Sequence, residues 1–160
     1  MAKFQMAPTI SNDLNAFTAR LGSDAGANKL TQNDIGKLVK LDGESRYNLA
    51  AAGDEIEGIV VDLGTGTQDG YALGSVNPDG RISVTFDGSE SAGTGNLGVT
   101  DYVVVGTPVA LGTAQPNGPR VRKATDQAAA KASPFAWRVV SLGTGNGSPG
   151  TFGLIERVTG

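Results

Sequence analysis

The chain has 160 residues, a formal net charge of −3, and neither cysteine nor histidine. Disulfides and thiolate metal sites are thereby excluded, and the side chain that most often serves as general base near neutral pH is missing. An acidic balance also argues against a protein that neutralises nucleic-acid phosphates. Glycine is in excess at 24 residues, about twice the ~7% of an average protein, and its aperiodic spread indicates many turns and not a collagen-like repeat.

Residues 1–33 differ in character from the rest of the chain. Met1-Ala2-Lys3-Phe4-Gln5-Met6-Ala7-Pro8 contains no apolar run of the export-signal kind, so synthesis in the cytoplasm is expected. No stretch approaches the ~20 apolar residues of a membrane-spanning helix, and no membrane partner is expected. Ser11 or Asn12 can cap a short helix that places Leu14, Phe17 and Leu21 on one face and stops at Gly22. A turn or two of helix is marginal alone. The segment therefore reads as an N-terminal arm, either flexible or ordered only against a partner, ahead of a β-rich body over 34–160.

The body reads as about ten short strands. Gly36-Lys37-Leu38-Val39-Lys40-Leu41 suits a strand, Asp42-Gly43 a hairpin turn, and residues 46–50 the returning strand. Residues 56–63 are almost continuously apolar, as a strand covered on both faces would be. Residues 71–76 and 81–86 flank Asn77-Pro78-Asp79-Gly80, which predicts a closed hairpin; Ile82, Val84 and Phe86 alternate with polar neighbours. Residues 88–98 read as a mobile surface loop, and 101–105 and 108–111 as further strands. Gln115-Pro116-Asn117-Gly118 repeats the Pro-then-Gly turn before Val121. Residues 125–132 are an alanine-rich helix stopped by Pro134, and residues 137–142 and 152–158 close the chain as strands. The fold class expected is mainly β: one domain, a sandwich or barrel of short antiparallel strands with one or two short helices and an N-terminal arm.

Candidate chemistry is sparse. Gly64-Thr65-Gly66 lacks the glycine spacing and following helix that a phosphate loop requires. Asp54, Glu55 and Glu57 read as a solvated turn and outward strand positions, not as a carboxylate pair for catalysis. Arg120 and Arg122 share a strand face and suit an acidic protein partner, a neighbouring subunit, or a solvated edge. Trp137, the sole tryptophan, sits in an apolar strand as a core anchor. Val60-Val61-Asp62-Leu63-Gly64-Thr65-Gly66 echoes Val139-Val140-Ser141-Leu142-Gly143-Thr144-Gly145, an echo short enough to attribute to convergent turn chemistry. No catalytic residue, cofactor or metal ligand is nominated, so the chain reads as a non-enzyme.

Residues 34–86 resemble the head decoration, or cement, proteins of tailed bacteriophages. The resemblance lies in Asp34-Ile35-Gly36-Lys37-Leu38-Val39-Lys40-Leu41, Arg46-Tyr47-Asn48-Leu49, Ala52-Gly53-Asp54-Glu55-Ile56-Glu57-Gly58-Ile59-Val60, Gly70-Tyr71-Ala72-Leu73-Gly74-Ser75-Val76 and Gly80-Arg81-Ile82-Ser83-Val84. It covers about a third of the chain and implies a structural virion protein that binds the outer capsid surface and bridges major capsid protein subunits. It implies self-association, as a trimer first and a dimer second; charge and hydropathy lead to the expectation of no nucleic-acid or membrane partner. On this reading Phe4, Leu14, Phe17 and Leu21 of the arm, with Arg120 and Arg122, are the capsid or subunit interface. The alternatives are another virion component, such as a head-fibre base or tail protein, or a carbohydrate-binding β-module. Nine aromatic residues, five Phe, three Tyr and one Trp, mostly in apolar strands, count against the last.

Overall fold

The computed structural model of the chain describes residues 17–22, 29–42, 46–64 and 72–158. Within them the chain forms two closed five-stranded barrels. The first is built from β1 (Phe17–Leu21), β2 (Leu38–Leu41), β3 (Arg46–Leu49), β4 (Gly58–Leu63) and β5 (Ala72–Asn77), ordered β1-β3-β2-β4-β5. The second is built from β6 (Arg81–Gly88), β7 (Tyr102–Val105), β8 (Arg120–Lys123), β9 (Trp137–Ser141) and β10 (Phe152–Arg157), ordered β6-β8-β7-β9-β10. A 3-10 turn (Gln32–Asp34) precedes β2, and a short helix, α1 (Gln127–Ala132), lies between β8 and β9.

The two barrels repeat one another strand for strand. In each the first and third strands are parallel and every other pair is antiparallel. The register also repeats. Arg20 stands opposite Arg46 and Leu73, and Thr85 opposite Arg120 and Phe152. Val39 stands opposite Leu49 and Gly58, and Val103 opposite Lys123 and Trp137. The fourth strand of each is bulged at one place, with Val61 skipped between Val60 and Asp62, and Val140 between Val139 and Ser141. At Gly74 and Gly153, beside these bulges, an added Cβ would collide with the Asp62 and Ser141 carbonyl oxygens respectively. Over residues 60–64 and 139–143 the echo therefore marks equivalent positions in two like barrels, and turn chemistry alone does not account for it.

One pair of equivalents differs in residue type at a demanding position. Gly36 donates its N–H to Val60 O at 2.7 Å, and Thr100 donates to Val139 O at 2.8 Å. Both are left-handed, with φ of +86° and +76°. Glycine adopts that conformation freely, whereas a β-branched side chain is strained in it.

The barrels share a core. Val103, Val105, Val121, Trp137, Val139 and Ile155 of the second pack with Leu38, Ala50, Ile56 and Ile59 of the first. Connection 50–57 closes one end of the second barrel. Gly53 N–H donates to Val105 O at 2.8 Å, Asp54 O accepts Val105 N–H at 2.9 Å, and fully buried Ile56 lends its carbonyl to Trp137 Nε1–H at 2.9 Å. Leu21, Val39, Val60, Leu63 and Val76 fill the first barrel.

The mainly β class and the core position of Trp137 agree with the sequence, and several local readings are corrected. Phe17 and Leu21 lie on β1, where a helix is expected from the sequence: β1 fills the gap between β3 and β5, and that pairing outweighs a weak helical pattern. The described end of the supposed arm is thus a barrel wall; Phe4, Ser11, Asn12 and Leu14 lie outside the described residues. Residues 77–80 do turn, with Asn77 Oδ1 accepting Asp79 N–H at 3.1 Å, but they make no hairpin. Strands β5 and β6 belong to different barrels, each finding long-range partners. Loop 88–98 is anchored by buried Leu97, whose N–H reaches Gly147 O at 2.8 Å. Residues 108–111 form no strand; within them the Ala110 carbonyl accepts from Lys37 Nζ and from the Thr113 N–H.

Trp137→Ala should cost about 3–5 kcal/mol and, in thermal unfolding, bring both barrels down in one lowered transition, since the residue lies in their shared core. Thr100→Gly should relieve about 1–2 kcal/mol of left-handed strain against ~0.5–1 kcal/mol of backbone entropy, raising the melting temperature by a degree or more.

Candidate functional site

The most distinctive polar site is a buried clamp between the barrels. Asp34 closes the 3-10 turn and Lys37 follows the left-handed Gly36. Their side chains are buried and meet at 2.7 Å, Nζ to Oδ1. Lys37 Nζ also donates to Ala110 O at 2.7 Å, and Asp34 Oδ1 accepts the Gly112 N–H at 2.8 Å. Asp34 Oδ2 accepts from the Thr31 N–H at 2.7 Å and from its hydroxyl at 2.9 Å. Asn33 Nδ2 adds a bond to Gly112 O at 2.8 Å. Ala110 and Gly112 belong to connection 106–119 of the second barrel, so this strap is tied across the junction. At the equivalent positions of the second barrel Gly98 N–H donates to Asp101 Oδ2 at 2.8 Å, and the ion pair is not repeated there.

Burial alone would raise the Asp34 pKa. Hydrogen bonds from Lys37, Thr31 and Gly112 outweigh it and hold the carboxyl below its ordinary value. An ion pair with every oxygen engaged is what a buried charge requires. It also makes the carboxylate a poor base and a poor nucleophile.

The residues nominated as an interface are scattered. Phe17 is exposed at one end of β1, its ring centroid 5.7 Å from that of Tyr47. Leu21 is core, not interface, since it points into the first barrel. Arg120 and Arg122 do share the outward face of β8, with Val121 buried between them. That strand is paired on both sides, by β6 and β7, and so is not an edge. Phe4 and Leu14 lie outside the described residues.

The acidic trio disperses as well. Asp54 caps Ala51 N–H at 2.9 Å and pairs with Lys40 at 3.1 Å. Glu55 is exposed, but Glu57 is buried, contrary to its expected outward position, because its Oε2 accepts the Leu41 N–H at 3.0 Å at the end of β2. Residues 143–145 turn back toward β10 without a helix to receive an anion, and residues 65–71 lie outside the described residues.

Two surface clefts flank α1. One, of 290 Å³, is lined by Glu55, Arg122, Asp126 and Phe135 among others; the other, of 530 Å³, by Pro78, Asp79, Ser133 and Arg157 among others. Arg157 donates to the carbonyls of Pro78 and Pro134 and stacks 5.0 Å over the Phe135 ring. Its charge thus ties the inter-barrel linker to the segment after α1. Among the described residues no three His, Cys, Asp or Glu side chains converge as a metal site, and no helix is long and apolar enough to cross a membrane.

The clamp is not evident as a pair in the sequence because Asp34-Ile35-Gly36-Lys37 reads as the run-in to a strand. The available signal is a glycine between an acid and a base three residues apart. With its folded pKa depressed, Asp34 contributes stability in full above the unfolded value near 4, and that contribution is lost as pH falls through the lower folded value. Asp34→Asn should therefore unfold at about 3 kcal/mol lower stability at pH 7. The gap to the wild type should narrow below about pH 4, as followed by urea denaturation across pH. No family model matches the sequence, and comparisons with curated proteins and with solved structures give no match either.

Proposed function

We propose that the chain is a structural virion protein that binds the outer surface of a tailed-phage capsid and stabilises it by bridging major capsid protein subunits, without catalysis or a cofactor. On this reading it is made in the host cytoplasm, self-associates, and acts on the capsid surface. The observation that carries it is where the family-like residues fall. Segment 34–86 supplies the Asp34–Lys37 clamp, connection 50–57 that closes the second barrel, and the short 78–80 linker. These are the parts that hold one barrel rigidly against the other. A bridging protein must keep its contact surfaces at a fixed spacing, because slack between them lowers the effective concentration of the second contact. Closed barrels also suit a protein stored at high concentration before assembly, since their described strands leave no edge unpaired for a neighbour.

Purified protein mixed with undecorated, expanded phage heads should co-sediment saturably, at a copy number that matches symmetry positions of the lattice, and should raise the temperature at which heads rupture. Absence of saturable binding would dismiss the capsid reading.

A further inference from the structure

Eight large apolar side chains stand exposed among the described residues, and half of them fall into two equivalent pairs. Ile35 and Val99 immediately precede the equivalent residues Gly36 and Thr100, whose N–H groups bond Val60 O and Val139 O. They are 37% and 52% exposed. Leu73 and Phe152 are equivalent through their partners Arg20 and Thr85, and are 43% and 53% exposed. The others do not repeat: the counterparts of Phe17 and Leu41 are Ile82 and Val105, both buried.

Within each barrel the two residues flank the fourth strand. Gly36 bonds β4 at Val60 on one side, and on the other Gly64 N–H donates to Leu73 O at 2.7 Å. In the second barrel Thr100 bonds β9 at Val139, and Gly143 lies against Phe152 O, where an added Cβ would sit 2.8 Å away. Four residues along the strand and two strand spacings across put the paired side chains roughly 15 Å apart. Between the fourth and fifth strands the equivalent residues are equally far apart in sequence, Gly64 from Leu73 and Gly143 from Phe152. None of these four side chains belongs to, or packs against, either hydrophobic core. Packing therefore gives no reason for the same two positions to be apolar and exposed in both.

We infer that the two barrels present one binding surface twice, Ile35 with Leu73 and Val99 with Phe152, to a partner that itself presents one site twice, namely two adjoining copies of one subunit. This rests on the capsid reading above and adds which surfaces meet the lattice and in what ratio. Each chain then engages two like sites, and each contact raises the effective concentration of the other.

The test compares Ile35→Asp/Leu73→Asp, Val99→Asp/Phe152→Asp and the fourfold variant with the wild type in co-sedimentation with undecorated heads. Far-ultraviolet circular dichroism checks their folding, and serine replaces aspartate in any variant that misfolds. Loss of either pair should weaken binding by ~10²-fold or more, as expected when a linked two-site contact becomes single. The two losses should agree within a few-fold, and the fourfold variant should not bind. Either double variant binding within about threefold of the wild type would overturn the inference while leaving the capsid reading intact, because a lost second site costs far more than that. So would gel filtration showing that the same substitutions dissociate an oligomer of the free protein, which would assign the surfaces to self-association. A wild type that does not bind heads would overturn the capsid reading and this inference with it.

Discussion

A five-stranded barrel pairs every strand edge but leaves its ends open, and the molecule is organised around how one of those ends is closed. Trp137 and its apolar neighbours would meet water at the mouth of the second barrel if connection 50–57 did not lie across it. Burying a tryptophan removes about 150–250 Å² of surface, worth about 4–6 kcal/mol. The closing segment contributes backbone bonds at Gly53 and Asp54, the side chain of Ile56, and the carbonyl that satisfies the indole N–H. Burial is obtained without orphaning that N–H. The barrels are consequently one hydrophobic unit, and the Asp34–Lys37 clamp and its strap hold the same junction from another side.

The barrels agree where geometry is demanding and diverge where it is not. Strand register, the bulge in the fourth strand and the glycine opposite it are repeated, because a bulge brings a carbonyl so close to the neighbouring strand that only a residue without Cβ fits there. Connections are free of that constraint. The one after β3 is short and closes the sister barrel. The one after β8 carries α1, capped by Asp126 Oδ1 accepting the Ala128 and Ala129 N–H groups at 3.0 and 2.9 Å. Gln127 from that helix brackets Tyr102, bonding its N–H and its carbonyl.

Much of this is legible in the sequence at the level of elements. Alternation in residues 81–86, the apolar run ending at Leu63, the alanine-rich stretch before Pro134 and the core role of Trp137 all express local period and composition, which a sequence displays directly. Partnership is not legible. Asn77-Pro78-Asp79-Gly80 has the residues of a hairpin turn, yet β5 and β6 part company there, because strand pairing here is decided by closure over long range. Phe17 and Leu21 carry a helical spacing too short to specify a helix, and the open gap beside β5 claims them as a strand. The clamp is hidden for a similar reason: its strap arrives from Ala110 and Gly112, far along the chain. As for the nominated interface, the sequence identifies which side chains are apolar, but exposure is a property of the closed barrels.

In each barrel the first strand pairs with the last, β1 with β5 and β6 with β10. Neither can therefore close before its final strand has left the ribosome. At about 5–20 residues per second, the second barrel lags the first by on the order of ten seconds of synthesis. During that interval Leu38, Ala50, Ile56 and Ile59 lack the closed second barrel that they pack against, and Lys37 lacks its strap until Ala110 has been added. Closure of the first barrel within that interval would display an apolar face to the cell, and the speed of translation between Asn77 and Arg157 would set how long that face is at risk.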